Sequence, residues 1–279
     1  MRDLDLATVF ILAQKELRDA RRNRWFLLYA AAFAGLSLGL AALALSGAGN
    51  YGLAGFGRTS ASLVNLILLI VPLMGLTLGA LSLAGEREKG TLLYLLAQPV
   101  TQLELLLGKF IGLALALMAA IALGFGLTGL LIGVNGGGAQ VTTYLGLLLL
   151  TCLLVLVSLS LGFLLSALVQ RGATAVGLAL FLWLGLTIFG DLGLMGTALI
   201  LRLNVDQLFA LALINPLQLF KITAVFNIRQ NLELLGPAGI YATRTYGSQL
   251  LPLLIGLLTL WIIAPFLAAI QLFKRKGVL

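Results

Sequence analysis

The chain has 279 residues, of which 61% are hydrophobic and only 10% charged, where soluble domains carry roughly a quarter. So large an apolar excess points to a bilayer, and the net charge of +8 reads first as topology because the basic residues flank apolar runs. With no histidine and one cysteine, Cys152, the sequence excludes imidazole-based nucleophile pairs, His-ligated zinc or haem and an intrachain disulfide, and neither its cysteine nor its four methionines cluster as metal ligands.

Residues 1–24 are expected to form an interface element, with an amphipathic helix over 6–24. Leu6, Val9, Phe10, Ala13, Leu17 and Ala20 follow the 3–4 spacing, while Lys15, Arg18, Arg22 and Arg24 lie mostly elsewhere; Lys15, Glu16, Arg18 and Arg22 are its candidate contact residues. Such a helix is either a simple membrane-surface anchor or a surface that touches a cytoplasmic partner.

The remainder, 25–279, reads as a six-span transmembrane domain. A membrane helix needs about 20 mostly apolar residues, and the runs that qualify are 25–46, 61–84, 105–134, 141–169, 174–201 and 249–273. Lys109 lies near the start of the third and is expected to snorkel to the interface. Glycines four apart (Gly35/Gly39, Gly75/Gly79, Gly108/Gly112, Gly129/Gly133) suit close helix packing within one bundle, or alternatively a dimerisation face. Thirteen lysines and arginines fall on the side of the two termini and five on the other, which predicts both termini in the cytoplasm.

Between the second and third spans lies the cytoplasmic segment 86–104. Four consecutive charges, Glu86, Arg87, Glu88 and Lys89, precede Gly90 and a short apolar helix over about 91–97 that stops before Pro99. Thr101 and Glu104 then form a capping box that starts the next helix. A solvated loop has no need of so many leucines, so the segment reads as a lever lying in the groove of a partner.

In the fifth span Asp191 is a candidate by default, because a carboxylate in a span is costly; it serves substrate contact or pairs structurally with Asn65, Thr187 or backbone. The long connection 202–248 is expected outside, ordered on the membrane surface or against another protein. In it Asn215-Pro216 is an N-cap followed by proline at the first helical position, then an amphipathic stretch with Gln218 and Lys221 to Phe226, and breaks at Gly236-Pro237 and Gly239.

No G-x-x-x-x-G-K-[ST] phosphate loop occurs, since Gly108-Lys109 is followed by Phe110 where the hydroxyl belongs. The chain is therefore not expected to hydrolyse ATP, and the expected fold class is all-α: six spans, an interface helix, a cytoplasmic coupling helix and a helical external segment. Two function classes remain, a passive or motor-driven membrane transducer and a motorless scaffold.

The run from Ala13 to Trp25, the stretch Gly85-Glu-Arg-Glu-Lys-Gly-Thr91, Gln98-Pro99 and Leu107-Gly-Lys-Phe110 resemble type-2 ABC exporter permeases. Within them the chain is most similar to the NosY-type subgroup, the permease of the NosDFY complex involved in maturing the copper enzyme nitrous oxide reductase. That resemblance implies a homodimer in a prokaryotic cytoplasmic membrane, bound to a separate cytoplasmic ATPase that holds the ATP and Mg. It makes Glu86, Arg87, Glu88, Lys89, Gly90, Thr91 and Tyr94 the coupling contact, and Asn215, Pro216, Gln218 and Lys221 the docking surface for a NosD-like β-helix protein outside. A drug, lipid or ion exporter is the alternative cargo class.

Overall fold

The structure, a computed structural model, describes residues 5–46, 56–134, 141–201, 204–229, 232 and 237–276. Arg2, Arg202 and Gly236 lie outside the described residues, as does the side chain of Asp191. The described residues are helical almost throughout, with no strand among them. Six helices are long and apolar enough to cross a membrane, the number expected from the hydrophobic runs.

α1 (Leu6–Ala20) starts at Asp5, whose Oδ1 accepts from the Ala7 N–H at 3.1 Å. Its buried face is Val9, Leu12, Ala13, Glu16 and Ala20, whereas Leu6 and Phe10 are exposed. This corrects the expected stripe in two ways: the helix packs along a membrane helix, and its inner face includes a carboxylate. Asn23 caps α2 (Arg24–Ser46) by accepting the Trp25 N–H at 2.9 Å.

α3 (Phe56–Glu88) has 33 residues, about 50 Å at 1.5 Å per residue, so it outruns a hydrocarbon core of about 30 Å. Glu86, Arg87 and Glu88 are therefore its last turn, where the sequence had suggested a connection beginning at Glu86. Gly90, at φ 72°, then reverses the chain in a left-handed conformation that a side chain would strain. The short α4 (Thr91–Leu96) follows, its Thr91 hydroxyl donating to the Glu86 carbonyl at 3.2 Å. α5 (Gln102–Val134) opens on the expected capping box: Glu104 Oε2 accepts from the Thr101 N–H at 2.7 Å, and the Thr101 hydroxyl accepts from the Glu104 N–H at 3.2 Å.

α6 (Val141–Leu168) and α7 (Gly172–Leu201) complete five spans. α3 and α6 pack closely at the glycines: a Cβ on Gly79 would meet the Leu159 carbonyl at 2.8 Å and the Gly162 Cα at 3.0 Å. The Gly108/Gly112 pair does the same for α1 on α5, since a Cβ on Gly112 would lie 2.5 Å from the Ala13 carbonyl oxygen. Gly35 and Gly39 face open space.

The connection after α7 folds as α8 (Val205–Ile214), α9 (Pro216–Arg229) and α10 (Pro237–Tyr246), with a 3-10 turn at Gly247–Gln249 before the last span, α11 (Leu250–Lys276). Proline at the first position of α9 and the Leu217 N–H donating to Asn215 Oδ1 at 2.9 Å match the expected start. The chain bends by 112° between α8 and α9, and α9 packs against α3, α6, α7 and α11. Leu217, Leu219, Phe220, Ile222, Thr223 and Ala224 are buried there. α9 is thus not a helix lying on the outer surface: it enters the bundle. Asn215 Nδ2 donates to the Leu186 carbonyl at 2.7 Å, at a level about 21 Å along α7 from its first residue.

Candidate coupling site

Lys109 stands in the second turn of α5, beside the two glycines that admit α1. Only 2% of its side chain is exposed, and its Nζ donates to Glu16 Oε1 of α1 at 2.6 Å and to Glu86 Oε1 of α3 at 2.7 Å. The expectation that Lys109 snorkels to the interface is therefore wrong. The ammonium turns inward because two carboxylates from neighbouring helices compensate its loss of water, which a buried charge requires. Lys15 lies 3.9 Å from both Glu86 and Asp19, a second and looser cation at the rim.

The other charges of the same turn point elsewhere. Arg87 Nη1 donates to the Val169 carbonyl at 2.7 Å, at the α6–α7 junction, and Glu88 Oε2 accepts the Gly172 N–H at 2.8 Å, at the first residue of α7. The last turn of α3 consequently grips α1 and α5 on one side and the α6–α7 corner on the other. Glu104 adds a further tie: its Oε1 accepts the Asp5 N–H at 2.8 Å, joining the start of α1 to the start of α5. Arg87 Nε and Nη2 and Glu86 Oε2 are buried with no hydrogen-bond partner among the described residues.

Directly below this hub, α4 buries Leu92 and exposes Leu93 at 60% and Tyr94 at 78%. Lys89 and Thr91 are exposed too. Of the residues expected to contact a motor, Lys89, Thr91 and Tyr94 thus present themselves outward. Glu86 and Arg87 are engaged within the chain, Glu88 is exposed while it holds the Gly172 N–H, and Gly90 forms the hinge. Of the interface-helix residues, Glu16 is in the ion cluster, Lys15 at its edge, and Arg18 and Arg22 are exposed.

The expected outward docking residues are drawn into the fold. Asn215 is hydrogen-bonded to α7, Pro216 is buried, and Gln218 is 8% exposed, packed where Gly190 leaves room for it; Lys221 is half-buried. Asp191 follows Gly190 in α7; of its suggested partners, Thr187 donates to its own helix at Trp183 O, 2.8 Å away, and Asn65 is exposed. Glu16, Lys109 and Glu86 are the residues whose joint role the sequence reading missed. A signal existed: Glu16 shares the helical face of Val9, Leu12, Ala13 and Ala20, and a carboxylate on a buried face demands a cation.

Six helices of spanning length and apolarity mark an integral membrane protein, and its family gives the class, a transporter permease. The family model described as "ABC-2 family transporter protein" matches residues 10–278, and the chain belongs to that family. It is 32% identical over 278 residues to the "Probable ABC transporter permease protein NosY" of Stutzerimonas stutzeri, covering 96% of this chain and 98% of that protein. A protein of the same description from Pseudomonas aeruginosa is 36% identical over 227 residues, covering 78% of this chain and 81% of that one.

Proposed function

We propose that the chain is the membrane subunit of an ATP-driven complex, in which a separate cytoplasmic ATPase seats on α4 and its closure is carried into the spans through the last turn of α3. The observation that supports this most is the exposed apolar pair Leu93 and Tyr94 hanging from a turn whose three charges reach α1, α5 and the α6–α7 corner. An apolar face of that kind on a six-residue helix suits a cleft in another protein, and the neighbouring charges connect it to α1, α5 and the α6–α7 corner. Hydrolysis, with its ATP and Mg, belongs to the partner.

The similarity to NosY-type permeases extends the proposal to a homodimer in a prokaryotic cytoplasmic membrane, both termini inside, serving maturation of nitrous oxide reductase. The open faces of Gly35 and Gly39 on α2 leave room for a second copy. A NosD-like partner outside would meet the exposed residues around α8 and α10, such as Asp206, Gln207 and Arg244, with Asn215, Pro216 and Gln218 holding that surface in place from within.

The test is purification of the full chain from its own membranes. An ABC ATPase should accompany it and be lost when Thr91–Leu96 is replaced by a Gly/Ser linker, while the replaced chain still enters the membrane. An ATPase retained by that variant, or no nucleotide-binding partner on the intact chain, would instead leave a motorless scaffold.

A further inference from the structure

At the corner between α1 and α2 a groove of about 380 Å³ opens against α5. Its walls include Leu17, Phe26 and Leu127, and its floor is cut by small residues, Ala30 and Ala119 among them. Arg21 is the charged residue of the lining, at the end where α1 turns into α2. The groove follows α5 from Ala116 to Leu127, about 16 Å along the helix axis, so an occupant is long, narrow and apolar with one anionic end.

We infer that this groove is a binding site for an anionic phospholipid, with one acyl chain along α5 and the phosphate on Arg21. The guanidinium is exposed, and the nearby acid Asp19 lies beside Lys15, 3.9 Å away. Arg22 and Arg24 are exposed at the same corner and raise the local positive potential. A contrast within the molecule sharpens the assignment. The larger groove between α5 and α6, about 650 Å³, is lined by Phe125, Gly129, Val134, Tyr144 and similar residues without one charge. It can take an acyl chain but offers nothing that selects a headgroup.

The experiment uses the full chain in nanodiscs of equal phosphatidylglycerol and phosphatidylcholine, with retained lipids counted by native mass spectrometry. One arginine near an anionic headgroup favours phosphatidylglycerol by about fivefold, and the wild-type chain should show that preference. Arg21→Ala should abolish it and Arg21→Lys restore most of it. Ala119→Trp, filling the groove from an exposed position, should remove the selective lipid. Gly126→Leu, in the α5–α6 groove, should leave the preference unchanged. Equal retention of the two lipids by the wild type, or a preference that survives both Arg21→Ala and Ala119→Trp, would overturn the site. So would an Ala119→Trp chain that loses a second copy of itself rather than a lipid.

Discussion

Both ends of the bundle bury polar groups, but the α1 end buries full charges and the α9 end buries amides. At the first, Lys109, Glu16 and Glu86 join three helices through contacts of 2.6 and 2.7 Å. At the second, Asn215 holds α7 through Leu186, and Asn227 donates to the Thr143 carbonyl of α6 at 2.9 Å. An amide bond to a carbonyl contributes about 1 kcal/mol net, and removing one leaves little behind. Removing one member of a buried ion cluster strands a charge, which costs about 3–5 kcal/mol. The charged end is therefore the one where register between helices is most strongly enforced, and it is the end from which α4 hangs.

The widest gap between the two ends should appear with Lys109→Met. Glu16 loses its cation and Glu86 keeps only the looser Lys15, and the expected loss is about 3–5 kcal/mol, read as a fall in the thermal midpoint of purified protein. The triple change Lys109→Met, Glu16→Gln, Glu86→Gln should recover more than half of that loss, because no bare charge remains. A triple variant as unstable as the single one would break the reading of the cluster as an ion joint. Next in size is Gly79→Leu at the α3–α6 contact, where overpacking should cost about 1–3 kcal/mol on the same scale. At the amide end Asn215→Ala removes a cap and a bond to α7 and should cost about 1–2 kcal/mol, without loss of any ATPase partner. Tyr94→Ala should stay within about 0.5 kcal/mol of wild type, yet release the ATPase in co-purification. If Asn215→Ala released the ATPase and Tyr94→Ala did not, the assignment of roles to the two ends would be reversed.

Features set by neighbouring residues were legible in the sequence. The capping box of Thr101 and Glu104, the Asn215-Pro216 helix start and the six spans depend on spacings of a few residues or on one continuous run. The ion joint depends on residues 93 and 23 positions apart, and nothing local reveals such a pairing. Lys109 stands near a helix start, where an interfacial lysine and a buried one look alike until the partner helix is known. The glycine pairs were visible as a spacing, but their partners were not: Gly108/Gly112 receives α1, Gly75/Gly79 receives α6, and Gly35/Gly39 meets nothing among the described residues. α9 misled for a further reason. Its Gln218 and Lys221 give it the composition of a surface helix, while Gly190 clears the space that draws Gln218 inside.

Motion imposed on α4 by the proposed ATPase should reach α1 through the Lys109 joint. Hydrogen–deuterium exchange of the ATPase-bound complex, with and without ATP and vanadate, tests it on the peptides of α1 and α4. In the wild type, nucleotide should change the protection of both. In the folded triple variant the change should persist at α4 and vanish at α1. An α1 that responds equally in both proteins would contradict the account.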